Sequence, residues 1–193
     1  MNEREGRMMF RAFGSAVLLA FVVAIPSSAQ QTAPSRHLDV VFVPTPSEVV
    51  DAMLKLAKVT SNDVVYDLGS GDGRIPIAAA KTYGAHAVGI DIDPERIREA
   101  TANARTAAVA DRVTFRNEDL FTADISPATV VTLYLSPSVN ARLTPKLMKE
   151  LKPGTRVVSH AFDLGSWKPQ QRLTVNDRPI FLWTLAAPSG TRP

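Results

Sequence analysis

The sequence predicts an α/β fold: a doubly wound, mostly parallel seven-stranded sheet that ends in a carboxy-terminal antiparallel hairpin. Three observations predict it. From about Leu38 onward, short β-type runs alternate with longer helical ones, the pattern of parallel strands linked by crossover helices. The apolar run "VVYDL" stops at "GSGDG", a glycine turn of the kind that joins a buried strand to a helix. Finally, "QRLTV" and "IFLWTLA" are separated only by "NDRP", too short for a helix, so they pair as a hairpin.

Taken in order, "TPSEVVDAMLKLAKV" opens on Thr45, Pro46 and Ser47, which suit a cap and first turn, and puts Val49, Met53, Leu56 and Ala57 on one face. "DVVYDL" is the first strand. "GRIPIAAAKTY" is the helix after it, with Pro76 tolerated because it falls in the first turn. "HAVGID" is the second strand, and "DPERIREATANARTAAV" is a helix with Pro94 near its start. "RVTFRN" and "ATVVTLYL" are the third and fourth strands, "SPSVNARLTPKLMKEL" a helix, and "KPGTRVVSHAF" a turn and the fifth strand. The hairpin strands complete the sheet, and Ala161 to Gln171 is too short for a covering helix. No internal repeat divides the chain, so one domain is expected over residues 38–187, with 188–193 a disordered tail.

The chain has 193 residues, 45% hydrophobic and 21% charged, a globular composition. A net charge of +3 without a Lys/Arg-rich block gives no case for nucleic acid. With no cysteine, disulfides, thiolate metal sites and a cysteine nucleophile are excluded. Arg4, Arg7 and Arg11 precede an uncharged apolar stretch, Ala12 to Ile25, and Ser27 and Ala29 are small residues where a signal peptidase reads. The stretch is shorter than the roughly 20 residues that span a bilayer. Residues 1–29 therefore read as an export signal cleaved after Ala29, or as an uncleaved membrane anchor, with 30–37 a linker. Either way the arginines place the remaining chain across the membrane, periplasmic or secreted if the signal is cleaved. The membrane would be met only through this segment.

The glycine turn carries the chemistry. Gly69 and Gly71 fit a dinucleotide fingerprint, but its third glycine position holds Arg74; the spacing is Gly69-x-Gly71-x-Gly73 with Asp67 just before it. A carboxylate there repels a pyrophosphate and accepts hydrogen bonds from an ammonium group. At this point the chain resembles the class I, seven-strand S-adenosylmethionine (SAM) methyltransferases, whose first motif "DLGSGDGR" is similar to. The resemblance implies that Asp67, Gly69, Ser70, Gly71 and Gly73 hold the methionine end of SAM. It implies that Asp91, with Ile92 beside it in "VGIDID", binds the ribose hydroxyls, as two acceptor oxygens can. It implies further that Asp119 and Leu120 in "NEDLF" meet the adenine. The other readings are an Asp91/Asp93 metal pair, disfavoured because no histidine cluster completes it, and Asp119 as a turn cap. No metal is expected.

The fourth-strand exit, "LYLSPSVN", departs from the Asn-Pro-Pro-aromatic of many nucleic-acid amine methyltransferases. The layout of "VPTP", "DLGSGDGR" and "LKPGTRVVS" is similar to a subgroup of seven-strand protein-lysine methyltransferases. That implies Thr45 near the methionine carboxylate, Tyr134 and Ser136 along the methyl-transfer channel, and a protein lysine as acceptor. A small-molecule or lipid acceptor, or a SAM-binding module without transfer activity, are the alternatives. Tyr134 reads equally as a packed strand aromatic, His160 as a base or a structural residue, and Trp167, Phe181 and Trp183 as packing rather than a substrate cage.

Overall fold

The computed structural model describes residues 43–186. The expected signal or anchor (1–29), linker (30–37) and tail (188–193) lie outside the described residues. Described elements run α1 (Ser47–Leu56), β1 (Val64–Leu68), α2 (Arg74–Tyr83), β2 (His86–Asp91), α3 (Pro94–Thr106), β3 (Val113–Asn117), β4 (Val130–Leu133), α4 (Pro137–Glu150), β5 (Arg156–His160), β6 (Gln171–Val175) and β7 (Arg178–Thr184).

The strands form one seven-stranded sheet in the order β3-β2-β1-β4-β5-β7-β6. β1 to β5 pair in parallel, and β7 is antiparallel to both β5 and β6. The predicted architecture holds, hairpin included. The strand order reverses between β1 and β4, which opens a crevice at their carboxyl ends where ligands of such sheets bind. The hairpin turn is tighter than its sequence suggested. Only Asn176 and Asp177 turn, both at positive φ, while Arg178 and Pro179 already belong to β7.

Alternate residues of each strand supply the two faces. Val65, Val158, Ile180 and Leu182 join one apolar cluster with the buried side chains of α1, α2 and α3. Tyr66, Leu68, Val157 and Trp183 join the other, with Leu143 and Leu147 of α4 and the loop residues Ile125 and Leu164. Trp183 is fully buried and its Nε1 donates to the Trp167 carbonyl at 2.8 Å. That fixes the aromatic group as core rather than cage. In α1, Val49, Met53 and Ala57 are buried as expected, but Leu56 is only partly so; Val50 and Leu54 widen the stripe instead. Among the described residues no helix is long and apolar enough to cross a membrane.

The helix starts follow from their caps. Asp93 accepts from the Glu95 N–H (2.8 Å) ahead of Pro94 at the first position of α3. Ser136 does the same for α4, accepting from the Val139 N–H at 3.4 Å before Pro137.

Candidate active site

At the carboxyl ends of β1, β2 and β4 lies a cavity of about 290 Å³. Its walls come from five places: the segment 43–45 before α1, the turn after β1, the ends of β2 and β3, and the exit of β4.

The turn after β1 needs its glycines for two different reasons. Gly69 sits at φ +83°, and a Cβ there would stand 2.8 Å from Leu135 Cδ2 on the cavity wall. Its N–H and that of Ser70 both donate to the Ile90 carbonyl (2.8 and 3.0 Å), tying the turn to β2. Gly73, at φ +81°, lies away from the cavity, and a Cβ there would meet Phe115 Cζ at 2.5 Å. It lets β3 and α3 pack against the turn. Gly71 is also off the cavity wall, but its N–H donates to Asp91 Oδ2 at 2.8 Å.

Asp67, Ser70, Asp91, Ile92, Asp119, Leu120, Thr45 and Tyr134 all reach the cavity wall. Asp67 is buried, and Thr132 Oγ1 donates to its Oδ1 at 2.7 Å. Burial pushes its pKa up to about 7; the Thr132 hydrogen bond opposes the rise, and the nearby Asp91 and Asp72 charges add to it. Asp91 is aimed by two backbone donors, Gly71 N–H on one oxygen and Asp93 N–H (2.9 Å) on the other, so each oxygen keeps a lone pair for a ligand. Asp119 does cap its turn, accepting from the Phe121 N–H at 2.8 Å through Oδ1. Among the described residues, Asp67, Asp91 and Asp119 have no ion pair, and no group of histidines and acids could hold a metal. Such a wall suits a cationic ligand with hydroxyl and amine donors. The Ser70 Oγ, buried without a hydrogen-bond partner, is a further group that such a ligand would satisfy.

Ser136 is the one expected channel residue that is not brought to the wall. Its Oγ is engaged in capping α4 and lies 3.0 Å from Ser138 Oγ. Sequence reasoning also passed over a strut. Arg74 grips Asp72 through Nε and Nη2 (2.9 and 2.5 Å) and donates from Nη1 to the Thr45 carbonyl at 2.8 Å. The glycine turn thereby holds the 43–45 segment over the cavity. The adjacent Asp72 and Arg74 in "GSGDGR" were the available signal.

His160 closes β5 and is 1% exposed. Its Nδ1 lies 3.3 Å from Thr45 Oγ1, and its ring rests on that of Tyr134 with centroids 4.0 Å apart. Burial, followed by the Arg178 charge, lowers its pKa to about 4. The contacts of His160 are with Tyr134 and Thr45, and it packs the two together.

A sheet in this order, with acids at the ends of its first three strands around a cation-suited cavity, defines a class I SAM-dependent methyltransferase. Residues 67–171 match the family model of the ANTKMT methyltransferase domain, and the chain belongs to that family. It is 53% identical over 137 residues to a protein-lysine N-methyltransferase of Saccharolobus islandicus (strain REY15A), covering 70% of this chain and 85% of the relative. It is 35% identical over 133 residues to the adenine nucleotide translocase lysine N-methyltransferase of Mus musculus, covering 69% and 58%. Among solved structures it is similar to one described as an RNA methyltransferase from Salinibacter ruber in complex with S-adenosyl-L-homocysteine. The TM-score is 0.74 at 55% identity, over 78% of this chain and 100% of that one.

Proposed function

We propose that this enzyme N-methylates lysine in a protein substrate. The observation that carries the cofactor half is the set of three carboxylates, Asp67, Asp91 and Asp119, around one cavity; among the described ion pairs, the Arg74 and Arg96 that share its wall pair with Asp72, Asp93 and Glu99 instead. In this reading Asp67 and the Gly69–Ser70 turn take the ammonium end of SAM, with Gly71 and Gly73 shaping the turn from outside the cavity. Thr45 faces the carboxylate of the same end. Asp91 accepts from both ribose hydroxyls next to Ile92, and Asp119 and Leu120 meet the adenine. SAM supplies a methyl group on a positively charged sulfur, and its transfer to an amine nitrogen releases S-adenosylhomocysteine and a proton.

An amine accepts the methyl only with its lone pair free, whereas a lysine in water has a pKa of about 10.4. Leu135, next to Tyr134, and Val139 also line the cavity, apolar side chains that desolvate an entering amine and favour its neutral form. Tyr134, backed by His160, orients that amine through its hydroxyl. Ser136 enters this account only by starting α4.

The lysine acceptor is supported by the two relatives described as lysine methyltransferases, and by the β4 exit, where Leu135-Ser136-Pro137-Ser138 replaces the sequence usual for base methylation. The Salinibacter description makes RNA the reading to test against it. Labelled methyl groups transferred into a cell extract should become sensitive to protease and resist ribonuclease, with label recovered as methyl-lysine. Label lost to ribonuclease would refute the lysine reading. Calorimetry separates the cofactor claim: Asp91→Ala should weaken SAM binding about 100-fold, the worth of two hydrogen bonds to a charged group. Unchanged affinity would remove Asp91 from the ribose role. We further propose that the domain works outside the cytoplasm, either released from its signal segment or tethered by it.

A further inference from the structure

Five non-glycine residues among those described adopt positive φ: Lys58, Ala108, Ala161, Asn176 and Asp177. Four of them end or turn regular elements. Lys58 and Ala108 follow the C-caps of α1 and α3, each with the paired backbone hydrogen bonds of a Schellman end. Asn176 and Asp177 form the hairpin turn. Ala161 follows the end of β5, where neither a helix cap nor a hairpin calls for a positive φ. At φ +67° it lets the Phe162 N–H donate back to the His160 carbonyl at 2.8 Å, a γ-turn of the hand that strains an L residue. Strain of this kind persists only where the surroundings impose it, and it gathers at functional sites.

The surroundings here are explicit. The Phe162 carbonyl accepts from Ser159 Oγ (2.6 Å) and from Asn140 Nδ2 (3.3 Å), which also reaches the Asp163 carbonyl (3.1 Å). Both donors are fully buried. The backbone of Phe162 is thus clamped from inside, while its side chain is left 38% exposed. The clamp also ties that backbone to the cavity wall. Through its N–H, Phe162 is bonded to His160, whose ring rests on Tyr134 in the cavity wall. Through its carbonyl it is bonded to Asn140, the neighbour of Val139 in the same wall. Of the other exposed large apolar residues, Val43 lines the cavity itself, whereas Met148 and Leu173 lie on α4 and the edge strand β6.

We propose that Phe162 selects the acceptor, packing against the apolar part of the polypeptide segment that carries the target lysine and so holding the amine at the Tyr134 end of the cavity. The inference rests on the protein-lysine reading. A free small amine fits beside the cofactor and gains little from a ring that is not part of the cavity wall. A polypeptide continues past the wall on both sides of its lysine, and no described helix between β5 and β6 stands in its way. An aromatic on a clamped backbone gives a large contact area with only two side-chain torsions to order, the property of an interface anchor.

The test compares the full-length enzyme with Phe162→Ala, Phe162→Leu and Met148→Ala on synthetic single-lysine peptides and on N-acetyl-lysine methylamide. SAM affinity by calorimetry serves as the check on folding. Phe162→Ala should raise KM for peptides about tenfold, with kcat within about twofold and SAM affinity unchanged. Phe162→Leu should recover most of the loss, and Met148→Ala should behave as the parent. The methylamide, too short to leave the cavity, should not distinguish the variants. Peptide KM values equal for the parent and Phe162→Ala overturn the proposal while leaving lysine methylation intact. A parent enzyme that methylates only the methylamide, or neither acceptor, refutes the protein-lysine reading, and this inference falls with it.

Discussion

Asp67 and His160 are both buried, and they answer pH in opposite senses. The pKa of Asp67 is raised from 3.8 to about 7, so the folded protein holds a proton that the unfolded chain has released. Its contribution to stability is complete below pH 3.8 and is lost as pH rises through about 7. The pKa of His160 is lowered from 6.5 to about 4. Its contribution is present above pH 6.5 and is lost as pH falls through about 4. Between those limits the two slopes oppose each other, so single substitutions should uncover each one. Asp67→Asn should give a Tm that falls on acidification from pH 7 to 4.5. His160→Phe, which keeps a ring against Tyr134, should give a Tm that falls as pH rises from 5 to 8. Two curves running parallel to the parent's would sink both assignments. The three acids of the site were legible because each lies at or just past a strand end, and a strand end is a local pattern. The contact between His160 and Thr45, 115 positions apart, left no such trace.

At the scale of elements, the glycine turn does two jobs that its spacing does not separate. Gly69 faces the cavity, but Gly73 faces Phe115 of β3 and Ala100 of α3. Gly73→Ala should therefore cost stability, roughly 2–4 kcal/mol from the positive φ and the overpacking together. Gly165→Ala is the fitting comparison, because φ is +71° there with nothing within 4 Å of a Cβ. It should cost only the backbone strain, about 1–2 kcal/mol. Urea unfolding midpoints at a constant slope measure the difference, and equal losses would mean that β3 yields to the methyl group. Ser136 teaches the same lesson from the other side. A serine before a proline at a strand exit reads as a channel residue or as a helix cap, and the structure shows the cap at the start of α4. The succession of strands and helices was legible because apolar periodicity reports it, and the terminal hairpin because its loop is too short for a helix. Which face a turn residue serves depends on neighbours from other elements, and periodicity does not carry that.

For the whole molecule, the open question is the compartment. The export reading places a SAM-dependent domain beyond the membrane, and several features of the chain are compatible with that. It has no cysteine, so an oxidising compartment changes nothing in its covalent structure. The described residues that line the cavity run from Val43 onward, and a cut after Ala29 removes none of them. Its parallel strands are held at their amino-terminal ends by charge as well as by the ladder. Asp63, ahead of β1, accepts from Thr129 and pairs with Arg156 of β5, which also donates to the Ala57 carbonyl after α1. All of these ties lie between residues 57 and 156, and a cleaved chain should fold as the uncleaved one does. Amino-terminal sequencing of the protein from cells should read from Gln30, and protease added to spheroplasts should digest it. Sequence beginning at Met1 with the domain still digested by that protease would establish the tethered form. A product protected until the membrane is broken would place the enzyme on the side where its cofactor is made and refute the export reading.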